Sequence, residues 1–220
     1  MKEVNSYGWK AVIGSSIGYA MDGFDLLILG FMLTLISGDL GLTTGQAGSL
    51  VTWTLVGAVI GGFIFGTLSD KFGRVRVLTW TIVLFAIFTG LCAFAQGYWD
   101  LLIYRTIAGI GLGGEFGIGM ALAAEAWPAQ HRAKATSYVA IGWQLGVLAA
   151  ALLTPVLLPY IGWRGMFMVG IIPAFVAWFF RAKLHEPEIF VHSKETKEHS
   201  HTNSFKLLVK DVRTTKTSIG

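Results

Sequence analysis

The sequence has little cysteine and little charge, and these two shortages exclude several common protein classes. Its 220 residues contain one cysteine, Cys92, so there is neither a disulfide framework nor a cysteine-based metal site. Charged residues make up 14% of the chain, whereas an ordinary soluble domain carries about 25%. Hydrophobic residues make up 54%, and mean hydropathy is +0.61. This composition indicates a membrane protein.

Side chains that perform catalysis are also scarce inside the apolar part of the chain. The five histidines all fall in polar segments, at His131, His185, His192, His199 and His201. The sequence contains no nucleophile–base set and no metal cluster, so it predicts no enzyme, no cofactor and no metal. The net charge of +4 is spread over several polar segments and does not indicate a nucleic-acid partner. The polar N-terminus leads into a full-length apolar block, without a short cleavable signal pattern.

The apolar residues form six blocks of about 20 residues that almost lack charge. A hydrocarbon layer of about 30 Å requires spans of this length. Such spans must be helical, because a bilayer offers no other partners to their backbone groups. The 28 glycines fit this prediction, since glycine lets membrane helices approach closely. The predicted spans are Trp9–Ser37, Ala47–Leu68, Val77–Ala95, Asp100–Ala124, Thr136–Tyr160 and Trp163–Lys183.

The positions of the basic residues predict the orientation of these spans. With a cytoplasmic N-terminus, 15 of the 17 Lys and Arg residues fall on the cytoplasmic side, as the positive-inside rule requires. The sequence therefore predicts a multi-pass protein of the cell (inner) membrane. We expect a cytoplasmic N-terminus at 1–10, a six-helix bundle at 11–183 and a polar cytoplasmic linker at 184–220.

Four ionisable residues fall inside predicted spans: Asp22, Asp25, Arg105 and Glu115. Together they would cost on the order of 10 kcal/mol if unpaired, so they face one another or an aqueous cavity. Asp22 and Asp25 are three residues apart on one helix face. Asp25 and Arg105 have similar predicted depths and can pair, either as a static link between helices or as part of a transport site. Glu115 lies about 15 Å deeper toward the cytoplasm than Arg105.

These residue types are suited to moving an anion together with a proton. A carboxylic acid in a low-dielectric site can take up and release a proton, which makes Asp25, Asp22 and Glu115 candidates for proton coupling. Arginine stays charged and can hold a carboxylate through two hydrogen bonds, which makes Arg105 a candidate for substrate binding. Gln144, midway along the fifth span, can also bind substrate, although a hydrogen bond between helices explains it equally well.

The most specific motif lies between the second and third spans, where the sequence reads GTLSDKFGRVRVL from Gly66 to Leu78. Its glycines, Gly66 and Gly73, are expected to permit tight helix ends and a tight turn. Asp70 and Arg74 are spaced to interact, and Arg76 adds a second cytoplasmic arginine. An ordinary positively charged loop explains a bare D-K-x-G-R, but not the whole pattern in this position.

This loop resembles the signature G-x-L-x-D-(R/K)-x-G-R-(K/R) of the major facilitator superfamily. The segments around Arg105 and from Glu125 to Arg132 resemble further motifs of that family. The resemblance implies a 12-helix fold of two six-helix halves, each a 3+3 inverted repeat. The chain would then hold the N-terminal half, and its partner would be a C-terminal six-helix half. The loop from Gly66 to Arg76 would gate the change of conformation.

A narrower resemblance indicates the substrate class. The segments from Met21 to Asp25 and from Gly109 to Gly119 are similar to the sialate, monocarboxylate and aromatic-acid proton symporters. This implies uptake of a small organic anion with a proton by alternating access. A sugar or polyol proton symporter is the alternative among transporters. A membrane enzyme, a non-transporting scaffold or a half-length fragment is the alternative of a different class.

Overall fold

The computed structural model describes residues 6–181, and within them all regular structure is helical. Residues 1–5 and the expected linker at 184–220 lie outside the described residues. A short 3₁₀ turn precedes the last helix, at Ala129–His131. The five α-helices, in chain order α1 to α5, are Ser6–Leu40, Thr44–Phe72, Arg74–Cys92, Tyr98–Glu125 and Arg132–Arg181.

Five helical segments of the described part are long and apolar enough to cross a membrane. This confirms the predicted all-helical membrane class. The boundaries shift by a few residues: α3, for example, begins at Arg74 instead of Val77 and ends at Cys92 instead of Ala95. Many large apolar side chains lie on the outer surface, as a lipid-facing protein requires, and Phe175 and Tyr160 are 65% and 86% exposed.

The last helix, α5, covers two of the predicted spans in one element of 50 residues. At 1.5 Å per residue it would be about 75 Å long if straight, far more than a hydrocarbon layer. Its regular backbone is interrupted at Gly162, where φ is 63° and ψ is 179°. A positive φ of this size favours glycine, and Gly162 falls between the predicted spans that end at Tyr160 and begin at Trp163.

The two arms of α5, 132–161 and 163–181, run in opposite directions along α1. Two contacts show the direction of the first arm relative to α1: Gly142 lies against Ser16, and Gly146 lies against Ala20. Two contacts set the direction of the second arm, Trp163 on Asp39 and Gly170 on Ile28. Along the first arm the residue numbers increase in the same direction as those of α1, so the two helices are parallel. Along the second arm they increase in the opposite direction, so that arm is antiparallel to α1. The chain therefore reverses at Gly162.

The turn between α2 and α3 depends on one glycine rather than the two expected from the sequence. Gly73 has φ 107° and separates the helices, as predicted. The prediction for Gly66 is wrong: it lies inside α2, six residues before the helix ends, and it is not among the positive-φ glycines. Residues 66–72 continue the helix, so only Gly73 has to adopt a conformation that other residues disfavour.

Glycines bring the helices into direct backbone contact, which explains the glycine run in α4. Gly109 and Gly113 lie against the backbone of α2, at Thr54 and Ala58. Gly111 and Gly114 lie against α3, with Thr81 and Phe85 among the atoms that an added Cβ would meet. Gly117 faces open space, and Gly119 has ordinary contacts with Ser15. Close packing therefore accounts for four of the six glycines in this run.

Two glycines of α2 allow this packing to be tested with the smallest possible change. A Cβ at Gly61 would overlap the backbone carbonyl of Ile110, whereas a Cβ at Gly66 meets nothing within 4 Å. Alanine favours a helix over glycine by roughly 1 kcal/mol at either position. We therefore expect Gly61→Ala to lower the melting temperature of the detergent-solubilised protein and Gly66→Ala to maintain or raise it. Equal effects of the two substitutions would show that the α2–α4 contact is not tight.

Candidate functional site

A buried ion pair joins α1 to α4. The guanidinium of Arg105 donates two hydrogen bonds to the carboxylate of Asp25, Nη1 to Oδ1 at 3.0 Å and Nη2 to Oδ2 at 2.7 Å. The two side chains are 0% and 1% exposed. The ring of Phe167 lies 5.8 Å from the guanidinium carbon. This bidentate geometry is the strongest form of an arginine–carboxylate contact, and the pairing expected from matching depths is present.

The Asp25–Arg105 pair is also shielded from solvent and from the nearby cavity. It lies beside a cluster of buried apolar residues that includes Phe24, Ile28 and Phe167. Neither Asp25 nor Arg105 lines the cavity described next. In this conformation Arg105 is therefore held by Asp25 and is not presented to a ligand.

Asp22 has a different environment from Asp25, although both lie on one helix. Asp22 lines an open cavity of about 560 Å³ between α1, α2, α4 and the first arm of α5. Its neighbours in the wall include Tyr19, Phe116 and Trp143. Sequence reasoning missed these aromatic residues; the three-residue spacing of Tyr19 and Asp22, which places both on one helix face, was the available signal.

The other two candidates occupy separate positions. Glu115 is 2% exposed, and its Oε2 accepts a hydrogen bond of 3.4 Å from the Thr81 hydroxyl on α3. It thus meets α3, not the Asp25–Arg105 pair. Gln144 is exposed and is not among the described residues that line the cavity.

The signature loop forms a charged cluster at one end of the bundle. Arg74 lies 2.8 Å from Asp70 and 3.0 Å from Glu125 at the end of α4, and it donates to the Ser69 hydroxyl at 2.6 Å. The expected contact between Asp70 and Arg74 is present, and Arg74 connects the α2–α3 turn to α4. Arg76 is exposed.

A further ion pair lies at the end of the bundle opposite this cluster. Arg164 pairs with Asp39, and the Trp163 ring nitrogen also donates to Asp39 at 3.0 Å. Arg164 donates further to the carbonyl of Ala95 at 3.2 Å. These contacts link the end of α1 to the α3–α4 connection and to the turn of α5. Asp39 and Arg164 are each about half exposed, unlike the pair inside the bundle.

The helices and the buried charges together define a multi-pass α-helical membrane protein with a polar site inside its bundle. The family model of the Major Facilitator Superfamily matches residues 15–218. The chain therefore belongs to this superfamily, and the curated relatives that it matches are named as transporters, not enzymes.

Both similar and more divergent relatives are named as transporters. A putative metabolite transport protein of Haemophilus influenzae is 75% identical over 99% of the chain and 55% of its own length. The cis,cis-muconate transport protein of Acinetobacter baylyi is 33% identical over 96% of the chain and 52% of its own length. The sialic acid transporter NanX of Escherichia coli is 32% identical over 88% of the chain and 48% of its own length. The chain thus spans about half the length of these relatives.

Solved structures support the same fold. A partially occluded, inward-open form of the xylose transporter XylE from E. coli matches 88% of the chain and 52% of its own, with a TM-score of 0.78. The two sequences are 24% identical, so this likeness concerns the fold alone.

Proposed function

We propose that the chain is the N-terminal half of a secondary transporter that takes up a small organic anion together with a proton by alternating access. The observation that carries this proposal is the bidentate Asp25–Arg105 pair, fully buried between two membrane helices. A buried charge pair is a weak source of stability, because desolvation offsets much of the attraction. Ionisable residues kept in this position are therefore better explained by a role in moving protons or ions.

The pair offers a direct way to couple a proton to an anion. While Asp25 is ionised, it occupies both Nη groups of Arg105. When Asp25 takes up a proton it loses its charge, and the guanidinium is released for another carboxylate. Since both side chains are closed off here, the exchange takes place in an alternate conformation of the bundle. Proton and substrate are then linked by competition for one arginine.

The names of the relatives favour an organic acid as the substrate. Proteins named for transport of muconate, sialic acid, benzoate and niacin match the chain at 32–33% identity. A sugar or polyol symporter is less well supported, because the xylose transporter resembles the chain in fold alone.

The glycine contacts support six spans arranged as a 3+3 inverted repeat, as known for this superfamily. Three close backbone contacts join α1 to the first arm of α5, and three of the four that join α2 to α4 have the same register. On α1 and α4 the equivalent positions are Ser16 and Thr106, Ala20 and Ile110, and Gly23 and Gly113. On α5 and α2 they are Gly142 and Gly57, Gly146 and Gly61, and Trp143 and Ala58.

The same correspondence between positions of α1 and α4 also relates the buried charged residues. It makes Glu115 on α4 the counterpart of Asp25 on α1, and Ser15 the counterpart of Arg105. In an inverted repeat, equivalent residues lie at equal distances on opposite sides of the membrane midplane. We therefore propose that Asp25 and Glu115 are the outer and inner proton-binding groups, with Asp22 between them at the cavity. Arg105 and Gln144 remain our candidates for substrate contact.

The remaining assignments are also part of this proposal. The cluster of Gly73, Arg74, Asp70 and Glu125 holds the α2–α3 turn against α4 and gates the conformational change, with Gly66 and Arg76 beside it. A C-terminal six-helix half completes the transport path, as the length of the relatives suggests. The bundle lies in the inner membrane, with the linker at 184–220 in the cytoplasm.

The orientation can be tested with single cysteines in a Cys92→Ser background. Lys71 is next to Asp70 of the gating cluster at one end of the bundle, and Asp39 belongs to the ion pair at the other. With a cytoplasmic N-terminus, an impermeant maleimide added to intact cells should label Asp39→Cys and not Lys71→Cys. Permeabilised cells serve as the control, in which both label. The reverse pattern in intact cells would invert the proposed topology.

The transport activity is tested in proteoliposomes that contain this half joined to its C-terminal half. Radiolabelled cis,cis-muconate and sialic acid are suitable first substrates, because relatives are named for them. An inwardly directed proton gradient should drive uptake above the external concentration, and a protonophore should abolish it. Uptake of labelled xylose instead of either acid would favour the sugar symporter.

A further inference from the structure

A polar cluster ties parts of the bundle together at the end opposite the signature loop, and we call it the outer cluster: Asp39, Ala95, Trp163 and Arg164. The guanidinium of Arg164 donates to the carboxylate of Asp39 and to the carbonyl of Ala95 at 3.2 Å. It also lies 4.1 Å from the centre of the Trp163 ring, a cation–π contact. The ring nitrogen of Trp163 donates to the same carboxylate at 3.0 Å. Linked contacts of this kind stabilise more than an isolated surface ion pair does.

The outer cluster has the same plan as the gating cluster of Asp70, Arg74 and Glu125. In each cluster an arginine follows closely after a glycine with positive φ, Gly73 at 107° or Gly162 at 63°. Arg74 binds an acid at the end of α4, and Arg164 binds an acid at the end of α1. In the proposed repeat, α1 and α4 are the first helices of their three-helix units. Each cluster therefore joins the turn of one unit to the first helix of the other.

The register of the glycine contacts supports this correspondence. It pairs Glu125 on α4 with Leu35 on α1, and Asp39 lies one helical turn beyond Leu35. When it is extended past the two turns, it pairs Arg74 with Pro159, and the arginine of the outer cluster lies five residues further along the chain. Its acid and its arginine are thus displaced in the same direction by a similar distance. The outer end of the bundle is a longer copy of the arrangement at the inner end.

We propose that the outer cluster is a latch that opposes the gating cluster and stabilises the conformation in which the outer end of the transporter is closed. The proposal rests on the function proposed above, because a latch has this role only in a protein that opens alternately at its two ends. Rocking of one repeat unit against the other separates helix ends on one side of the membrane, and it strains the link on that side. Loosening the outer cluster therefore favours the outward-open conformation, and loosening the gating cluster favours the inward-open one.

The accessibility of one cysteine on the cavity wall measures the balance between these conformations in the full transporter. Val59→Cys in a Cys92→Ser background is suitable, because Val59 lines the cavity and is 63% exposed. Gly117→Cys, on the same wall, is a second reporter. An impermeant maleimide labels the cysteine from outside in intact cells and from inside in inverted vesicles. We expect Arg164→Gln to raise the ratio of outside to inside labelling roughly two- to fivefold, as the strength of a half-exposed ion pair implies.

Further variants test whether the two clusters act in opposite directions. Arg74→Gln should lower the labelling ratio, and its combination with Arg164→Gln should bring the ratio back toward the parent, because effects at distant sites add. Asp39→Asn should raise the ratio, and adding Arg164→Gln should raise it little further, because both changes break one contact. Asp100→Asn is the matched control and should leave the ratio unchanged. This aspartate is also at the outer end, but it accepts from the backbone of Gln96.

The contrary results are equally distinct. An unchanged or lowered ratio in folded Asp39→Asn, which keeps the size of the side chain, would show that the outer cluster is only a surface contact. A rise with Arg74→Gln as well as with Arg164→Gln would show that the clusters do not oppose each other.

The labelling needs no substrate, so it separates this inference from the proposed function. The expected shifts without proton-driven uptake of any acid would preserve the latch and overturn the symport. Proton-driven uptake with unchanged labelling ratios would preserve the symport and overturn the latch. The latch variants leave the proposed coupling groups intact, so they should change the rate of uptake and leave the steady-state accumulation ratio near that of the parent.

Discussion

Substitution of Asp25 by asparagine should abolish proton-driven accumulation while substrate exchange continues. Asparagine imitates the protonated carboxyl group in shape and charge, so Arg105 is no longer held by a carboxylate. A gradient of one pH unit stores about 1.36 kcal/mol per proton and supports roughly tenfold accumulation in a one-proton symport. We expect the accumulation ratio of Asp25→Asn to fall to about 1 in proteoliposomes, for lack of a titrating group. Counterflow exchange at equal pH should be retained.

Asp39→Asn is the matched control for this experiment. Asp39 is also an aspartate paired with an arginine, Arg164, but it is about half exposed at the end of the bundle. It lies outside the proposed proton path, so accumulation in this variant should remain close to that of the parent. If Asp25→Asn accumulated substrate uphill with normal pH dependence, Asp25 would be structural and the coupling mechanism would be wrong.

The sequence was sufficient for the class of fold because bilayer physics restricts the possibilities. Long apolar blocks have to be helical in lipid, so the helical class and most boundaries followed from hydropathy alone. The break at Gly162 could also be predicted, because two apolar blocks of full length meet there. The helical position of Gly66 could not be predicted, because a glycine inside a helix and a glycine at a turn look alike in sequence, and the turn lies at Gly73.

The candidate site was predicted in part, and the difference has a physical cause. The depth of Asp25 and of Arg105 can be calculated from the helical rise, and their pairing followed from it. The aromatic part of the cavity wall beside Asp22 depends on how three helices rotate toward one another. That rotation is set by backbone contacts such as Gly23 on Trp143, which spacing along a single helix does not reveal. Tyr19, Phe116 and Trp143 were therefore missed.

Arg105→Met should destabilise the protein strongly, and removing Asp25 as well should restore much of the loss. The single variant leaves a carboxylate that is 1% exposed without its guanidinium partner. Breaking a buried pair from one side costs roughly 3–5 kcal/mol because a charge is left buried without its partner, and neutralising the second residue removes that charge. We therefore expect Arg105→Met to lower the melting temperature of the full transporter in detergent, and Asp25→Asn with Arg105→Met to recover most of it.

The double variant also separates a structural pair from a coupling pair, because a double-mutant cycle isolates the interaction of two residues. If the pair merely links α1 to α4, a refolded double variant should still accumulate substrate in response to a pH gradient. If Asp25 carries the proton and Arg105 receives the anion, the same variant should be stable and yet unable to accumulate substrate. Arg105→Lys extends the test, since lysine keeps the charge but cannot form the two parallel hydrogen bonds. We expect Arg105→Lys to be stable but to bind substrate more weakly. Full proton-driven accumulation by the neutral double variant would show that this pair does not couple proton and substrate.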